Sequence, residues 1–260
     1  MQDRYAGDIG DYGKIALLKS VENAGLRLGV NWYKSKTAEI EKNADGRYLI
    51  SEAHKSYDPE LARKLLAIST SENRSIEALQ NAKLLETACY YDCYVPPKAE
   101  RDDWQKKAMA VFSSCDIVFL DPDNGLSVKS VRAQSKRSSK YVYMDEIEDY
   151  IRCGKSVILY NHRQRIKEDI YFSSMINRFN ETQAITGKRI YAITFPKCTI
   201  RDYFIISASF NIRKKLNKRS VHCYRARSVK MAFANAGRLR EKRRQARKCC
   251  SIADKAITEW

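Results

Sequence analysis

Short apolar runs alternate with longer amphipathic segments along most of this chain, and the two patterns predict strands and helices in turn. Apolar runs predict strands over residues 26–35, 117–120, 157–161, 188–196 and 202–211. Apolar positions at helical spacing predict helices over residues 13–24, 58–69, 75–85, 100–114 and 170–183, and one at the end of 140–154. Alternation of this kind indicates the α/β class, with an open, mostly parallel sheet.

The last two predicted strands are joined by a very short connection. Only residues 197–201 separate them, whereas a crossover between parallel strands needs about a dozen residues or more. The two strands are therefore predicted to form an antiparallel hairpin that closes the sheet. On this basis residues 1–211 form an α/β catalytic domain, and residues 212–260 form a basic helical extension.

Positive charge is concentrated in the last quarter of the chain. The formal net charge is +17, and residues 201–260 contain seventeen Lys and Arg against four Asp and Glu. A block of like charge repels itself unless a polyanion neutralises it, so the charge predicts nucleic acid, and DNA first, as the partner. A solvated basic tail without a partner is the alternative interpretation. The residues expected to contact phosphate groups are Arg163, Arg165, Arg213, Lys214, Lys215, Arg240, Arg243 and Arg244.

Several kinds of protein and of site are disfavoured by what the sequence lacks. No apolar run approaches the ~18–20 residues that span a bilayer, and the first residues contain no secretory signal. The eight cysteines include no CxxC pair and the three histidines form no HExxH pattern, so neither a metal site nor disulfides are expected. These features predict a cytoplasmic protein with reduced thiols and no membrane contact, and they leave its oligomeric state open.

Polar side chains that can carry out chemistry follow two of the predicted strands. Asp121, Asp123 and Asn124 follow the second strand, and Asn161 and His162 follow the third. Because ligands bind at the carboxyl ends of the strands in an open α/β sheet, we expect both groups to line one site. Ordinary turn formation explains either group alone, but two such groups after buried strands favour a site.

The N-terminal segment alternates aspartate with glycine and carries tyrosines. Asp8 and Tyr12 lie in this segment, within residues 3–13. Two interpretations stay open. The segment is a mobile terminus, or it closes over the site so that Tyr12 stacks on a base, as aromatic groups do in base-flipping enzymes.

An acidic residue followed by proline after a buried strand also occurs in a known enzyme family. The pair Asp121–Pro122, with a later strand that ends in Asn161, resembles the uracil-DNA-glycosylase superfamily. The resemblance implies that the acidic residue positions water and that Asn161 reads a flipped base, without a metal or organic cofactor. Related glycosylases in phage defence remove glucosylated hydroxymethylcytosine, so modified, damaged or phage DNA is the expected substrate. The His-Pro-Ser-Pro loop of that superfamily is missing, and the closing hairpin also departs from it.

The same turn supports a second resemblance. Residues 118–125, VFLDPDNG, are similar to the Asp-Pro-Pro-Tyr signature of adenine-N6 methyltransferases, and residues 5–14 resemble the opening segment of one ribosomal-RNA methyltransferase family. This resemblance implies S-adenosylmethionine as cofactor, and the closing hairpin suits a methyltransferase sheet. Against it, no glycine-rich loop follows the strand at 26–35, and Asp123 stands where an apolar or aromatic residue is expected.

The sequence therefore predicts a DNA glycosylase, a hydrolase that flips a base out and cuts its N-glycosidic bond, as in antiviral defence. A methyltransferase of DNA or RNA and a non-catalytic nucleic-acid-binding protein are the two alternatives. The predicted catalytic residues are Asp121, Asp123 and Asn124, and the predicted base-binding residues are Asn161, His162, Tyr12 and Asp8.

Overall fold

The computed structural model describes residues 1–35, 50, 58–196, 200–208 and 225–227. Apart from one three-residue strand, the extension 212–260 lies outside these residues, so its helical structure and the division into two domains stay predictions. The phosphate contacts assigned to Arg213, Lys214, Lys215, Arg240, Arg243 and Arg244 also lie outside the described residues.

One open sheet of seven strands forms the centre of the molecule, in the order β2-β1-β3-β6-β8-β7-β9. Its strands are β1 (Leu28–Asn31), β2 (Cys89–Tyr91), β3 (Ile117–Leu120), β6 (Ser156–His162), β7 (Arg189–Phe195), β8 (Arg201–Ser207) and β9 (Arg225–Arg227). β2, β1, β3 and β6 pair in parallel, whereas β8 runs antiparallel to both β6 and β7. The predicted α/β class, the mostly parallel sheet and the closing hairpin are confirmed.

Four short strands were not predicted. One of them, β9, lies within the extension 212–260 that was predicted to be helical, and it pairs with β7 instead. β2 has three residues at the edge of the sheet, which is too short to show a period. β4 (Gly125–Leu126) and β5 (Tyr141–Val142) pair with each other in parallel, outside the main sheet. β4 follows the Asp-Pro-Asp-Asn turn directly, and its pairing with β5 holds the segment after that turn.

The described α-helices are α1 (Ile9–Asn23), α2 (Pro59–Ser69), α3 (Ile76–Asn81), α4 (Asp102–Val111), α5 (Met144–Arg152) and α6 (Glu168–Asn180). α1 begins four residues before its predicted start, because Asp8 caps it by accepting a hydrogen bond from the Asp11 amide at 3.0 Å. Within the described part of the chain, no helix has the length and apolar character that a bilayer crossing requires.

Both faces of the central strands are buried, as expected of parallel strands covered by helices. Successive side chains of a strand point to opposite faces, so β3 serves two cores. Ile117 and Phe119 pack in the cluster that α1, α2 and α3 cover, and Val118 and Leu120 pack in the cluster that α4, α5 and α6 cover. The polar residues at the carboxyl ends of the strands therefore lie at the edge of a sheet that has an apolar core on each face.

Candidate active site

The topological switch point of the sheet lies between β1 and β3. β2 pairs with one side of β1 and β3 with the other, so successive connections lead away from β1 in opposite directions. In open α/β sheets, ligands bind outside the carboxyl ends of the strands at such a point. Asp121 is the first residue after β3, and its amide bonds to the main-chain oxygen of Asn31 at 3.0 Å. The fold therefore favours a ligand site at Asp121.

A buried lysine holds the carboxylate of Asp121. The Nζ of Lys14 donates to Oδ2 of Asp121 at 2.6 Å and to Oδ1 of Asp11 at 2.8 Å, and all three residues are buried. Burial alone would lower the pKa of Lys14, but the two carboxylates raise it above its ordinary value. Lys14 therefore stays an ammonium ion. Burial raises the pKa of Asp121, and the charge of Lys14 opposes that shift.

Two glycines let α1 approach the sheet closely enough to deliver this lysine. A Cβ atom at Gly13 would lie 2.9 Å from the ring of Phe195, and one at Gly10 would lie 2.9 Å from Nε of Arg201. Since Lys14 follows Gly13 directly, the close approach brings its amine to the carboxyl end of β3. The alternation of Asp and Gly thus belongs to a packed helix and not to a mobile terminus.

Asp8 lies in the same network, at the N-terminus of α1. Its Oδ2 is 4.0 Å from a guanidinium nitrogen of Arg201. Burial and the neighbouring charge of Asp11 raise the pKa of Asp8 to about 6. The structure therefore brings Asp8 and Asp121, both singled out from the sequence, into one charged cluster that Asp11 and Lys14 connect.

The carboxyl ends of β1 and β3 also form a cradle for an ammonium group. The main-chain oxygens of Trp32, Tyr33 and Asp121 accept hydrogen bonds from the Met1 amine at 3.1, 2.9 and 3.0 Å. Oδ1 of Asp123 forms an ion pair with the same amine at 3.0 Å. Three carbonyl oxygens and one carboxylate thus surround a single positive charge at the switch point.

These contacts define what the Asp123 side chain does. Its Oδ2 accepts hydrogen bonds from Nε2 of Gln2 at 2.6 Å and from Oγ of Ser35 at 2.8 Å. Burial would raise the pKa of Asp123, but the Met1 ammonium and these hydrogen bonds lower it. Asp123 is therefore a weakly basic carboxylate that binds an ammonium group, which does not suit its predicted role in activating water.

Asn161 holds the turn that follows Asp121. Its Oδ1 accepts from the Leu126 amide at 2.8 Å, and its Nδ2 donates to the Tyr171 hydroxyl at 2.7 Å and to the His162 carbonyl at 3.0 Å. Gly125 lies directly against the amide, since a Cβ atom there would be 2.0 Å from Oδ1. Both ends of the amide are engaged inside the protein. This geometry corrects the prediction that Asn161 reads a base edge.

Replacing Asn161 with alanine should lower the free energy of unfolding by about 2–6 kcal/mol. The change leaves the Leu126 amide and the Tyr171 hydroxyl without that partner inside the protein, and each such loss costs about 1–3 kcal/mol. Urea unfolding followed by circular dichroism measures the difference. Asn177 is exposed on α6, so Asn177→Ala serves as the control and should cost less than about 0.5 kcal/mol. Similar losses in the two variants would show that Asn161 does not hold the turn.

Two further residues predicted to contact nucleic acid are engaged by contacts within the protein. Tyr12 is 1% exposed and packs in the core under α1, so its ring cannot stack on a base. Arg163 donates to both carboxylate oxygens of Asp202 at 2.6 and 2.8 Å, and also to Thr194 and Glu168. These contacts correct both assignments, because the ring and the guanidinium already have partners within the fold.

Three predicted residues retain access to solvent at this edge. His162 is partly buried, with its Nε2 2.9 Å from the Tyr160 hydroxyl. Asn124 is also partly buried, and Arg165 is exposed. These side chains can reach a bound ligand without any change in the core.

Lys14 and Asp11 are central to the cluster and were not predicted. The ammonium of Lys14 lies 5.6 Å from the ring of Trp32 and 5.7 Å from the ring of Tyr160. An aspartate and a lysine three residues apart face the same side of a helix, and this spacing is visible in the sequence. The pair could have been found only if the helix had been extended back to Asp8.

No family model, no curated protein and no solved structure matches this chain. Over the described ranges, no group of three or more His, Cys, Asp or Glu side chains is arranged to hold a metal ion. The fold and the site define an α/β protein with a buried charged cluster at the switch point of a sheet that an antiparallel hairpin closes.

Proposed function

We propose that the chain is an S-adenosylmethionine-dependent methyltransferase that acts on an amino group of a nucleic-acid base. The order of the strands carries the proposal. Antiparallel β8 is inserted between β6 and β7, which are parallel to each other, as suits a methyltransferase sheet. The strand order of a dinucleotide-binding domain instead continues with parallel strands. The turn 121–124 follows β3 at the switch point, where the resemblance to adenine-N6 methyltransferases calls for it.

The charge on Asp121 favours a base with an exocyclic amine. The ammonium of Lys14 favours the ionised carboxylate, which can only accept hydrogen bonds. Lys14 binds Oδ2, so Oδ1 is the oxygen that would accept a hydrogen bond from the substrate. Because Asp121 is buried, the substrate would reach it only once Met1 leaves its place beside this residue. On the major-groove edge, adenine and cytosine present an amine, whereas guanine and thymine present a carbonyl oxygen. We therefore assign adenine or cytosine as the substrate base.

The ammonium cradle fits one end of the proposed cofactor. S-adenosylmethionine carries an α-ammonium group, for which the Met1 amine is a stand-in in the acceptor set. The main-chain oxygens of Trp32, Tyr33 and Asp121, with the carboxylate of Asp123, would hold that end once Met1 leaves the cradle. Bound there, the cofactor would supply the methyl group. Asp121 would orient the amine of the base beside it.

Transfer of labelled methyl groups tests this proposal. The full chain should transfer label from S-adenosylmethionine to DNA or RNA, and the label should remain in the nucleic acid after the protein is digested. Homopolymers of each base identify the acceptor, and we expect label in the adenine or cytosine polymer and none in the thymine polymer. Folded protein that labels no nucleic acid would overturn the proposal.

Base excision is the second candidate, and the sequence after β1 favours it. The chain lacks a glycine-rich loop there that would admit a cofactor backbone closely. The same incubation without cofactor, followed by alkali, detects abasic sites. If the protein releases a base without any cofactor, the proposed function would be hydrolysis of the N-glycosidic bond and not methyl transfer.

A further inference from the structure

A basic loop borders the proposed base site. Residues 127–140 connect β4 to β5 and contain five Lys and Arg with no Asp or Glu. Four of the five are exposed, and no ion pair with another described residue engages them. These four are Lys129, Arg132, Lys136 and Arg137.

Both ends of this loop are fastened beside the turn that carries Asp121. The Asn124 amide donates to the main-chain oxygen of Lys140 at 3.0 Å, and the Ser127 amide donates to that of Val142 at 2.8 Å. The parallel pairing of β4 with β5 continues these contacts. The loop therefore leaves and rejoins the fold within a few residues of the proposed site.

The loop is held near both of its ends by contacts with the protein. The Ser138 main-chain oxygen accepts from Arg101, and its Oγ accepts from the Lys98 amide at 2.9 Å. The charge of Arg101 is balanced by Glu146, 2.9 Å away. Arg178 donates to the main-chain oxygen of Ser127. Because these supports use the main chain and Ser138, they leave the four exposed basic side chains available to a partner.

We propose that loop 127–140 binds the sugar-phosphate backbone of the nucleic acid whose base enters the Asp121 site, an inference that rests on the proposed function. Four neighbouring cations repel one another, and a row of phosphates relieves that repulsion. Arg165 and Lys167 are also exposed after β6, whose carboxyl end lies at the same edge of the sheet, and they extend the basic surface. Such contacts supply affinity and position the strand without selecting the base.

Removing the four charges tests the loop directly. The full chain with Lys129→Gln, Arg132→Gln, Lys136→Gln and Arg137→Gln is titrated into fluorescent duplex and single-stranded oligonucleotides over a series of salt concentrations. The slope of log affinity against log salt should fall by about 0.9 per lost phosphate contact on duplex and about 0.7 on single strands. Three lost contacts would therefore lower the duplex slope by about 2.7.

A second variant removes the same charge from elsewhere on the surface. Arg63→Gln, Lys106→Gln, Lys107→Gln and Arg152→Gln change two Lys and two Arg that are exposed on α2, α4 and α5. We expect its slope to change much less than that of the loop variant. Equal changes in the two variants would overturn the proposal, because net charge alone would then explain the loss.

The binding assay contains no cofactor, so it separates this proposal from the proposed function. Loop-dependent binding by a protein that transfers no methyl group would keep the loop assignment and remove the methyltransferase. Methyl transfer by the protein, together with unchanged binding in the loop variant, would keep the methyltransferase and remove the loop assignment. Vesicles of anionic phospholipid are the other probe, and loop-dependent binding to vesicles but not to nucleic acid would overturn the proposal.

Discussion

Replacing Lys14 with methionine is expected to lower the free energy of unfolding by about 3–5 kcal/mol. The side chains have similar volume, but the change leaves the buried carboxylates of Asp11 and Asp121 without their cation, and breaking a buried pair in this way costs about that much. Urea unfolding at neutral pH measures the loss. The loss should shrink at acidic pH, because Asp121, whose pKa is raised by burial, then takes up a proton and no longer needs a cation.

The matched control for this change lies on the same helix. Lys19 pairs with Asp58 at 2.8 Å, and both side chains are about one-third exposed. Lys19→Met should therefore cost less than about 1 kcal/mol, as exposed ion pairs do. If Lys14→Met costs no more than Lys19→Met, the buried cluster does not stabilise the fold as described.

The second large effect concerns the rate of methyl transfer. Asp121→Asn should lower that rate by about 100- to 1,000-fold, the usual loss when a positioned polar group at a reaction centre is removed. A neutral amide loses the charge-assisted hydrogen bond to the amine of the base. Nucleic-acid binding should change little, because phosphate contacts supply most of the affinity. Initial rates at saturating nucleic acid measure the methyl-transfer rate, and a filter-binding assay measures the affinity for nucleic acid.

Asp116→Asn is the control at the opposite end of β3. Asp116 forms an ion pair with the exposed Arg27 at 2.8 Å, far from the carboxyl edge of the sheet. We expect its methyl-transfer rate to match that of the unaltered chain. Circular dichroism must show that the Asp121→Asn protein is folded, because Lys14 then keeps only one carboxylate. A folded Asp121→Asn protein with full activity would remove Asp121 from the site.

The larger elements of the fold could be predicted because a buried strand or helix leaves a recognisable pattern of apolar residues in the sequence. Strands buried on both faces are apolar throughout, which identified β3 and β6, and the short connection after β7 required an antiparallel neighbour. β2 could not be found, since three residues at an edge carry no period. The start of α1 was missed because Gly10 disfavours a helix locally, and only its packing against Arg201 explains it.

The candidate site was predictable only in part. The sequence placed Asp121 at a strand end and noticed Asp8, but the partner of Asp121 is Lys14, 107 residues away. Nothing local shows that two such residues meet. Asn161 was singled out for reading a base, whereas the structure shows its amide holding a turn, because the two roles look the same in sequence. Only the position of Gly125 against its Oδ1 distinguishes them.

The mass of a defined oligonucleotide after incubation is the most direct test of the proposed reaction. The oligonucleotide carries one adenine and one cytosine among thymines and is incubated with the full chain, with and without S-adenosylmethionine. We predict that its mass increases by one methyl group only when the cofactor is present, and that Asp121→Asn largely abolishes the increase. Loss of a base without cofactor, or an unchanged mass with folded protein bound to the oligonucleotide, would contradict the proposal.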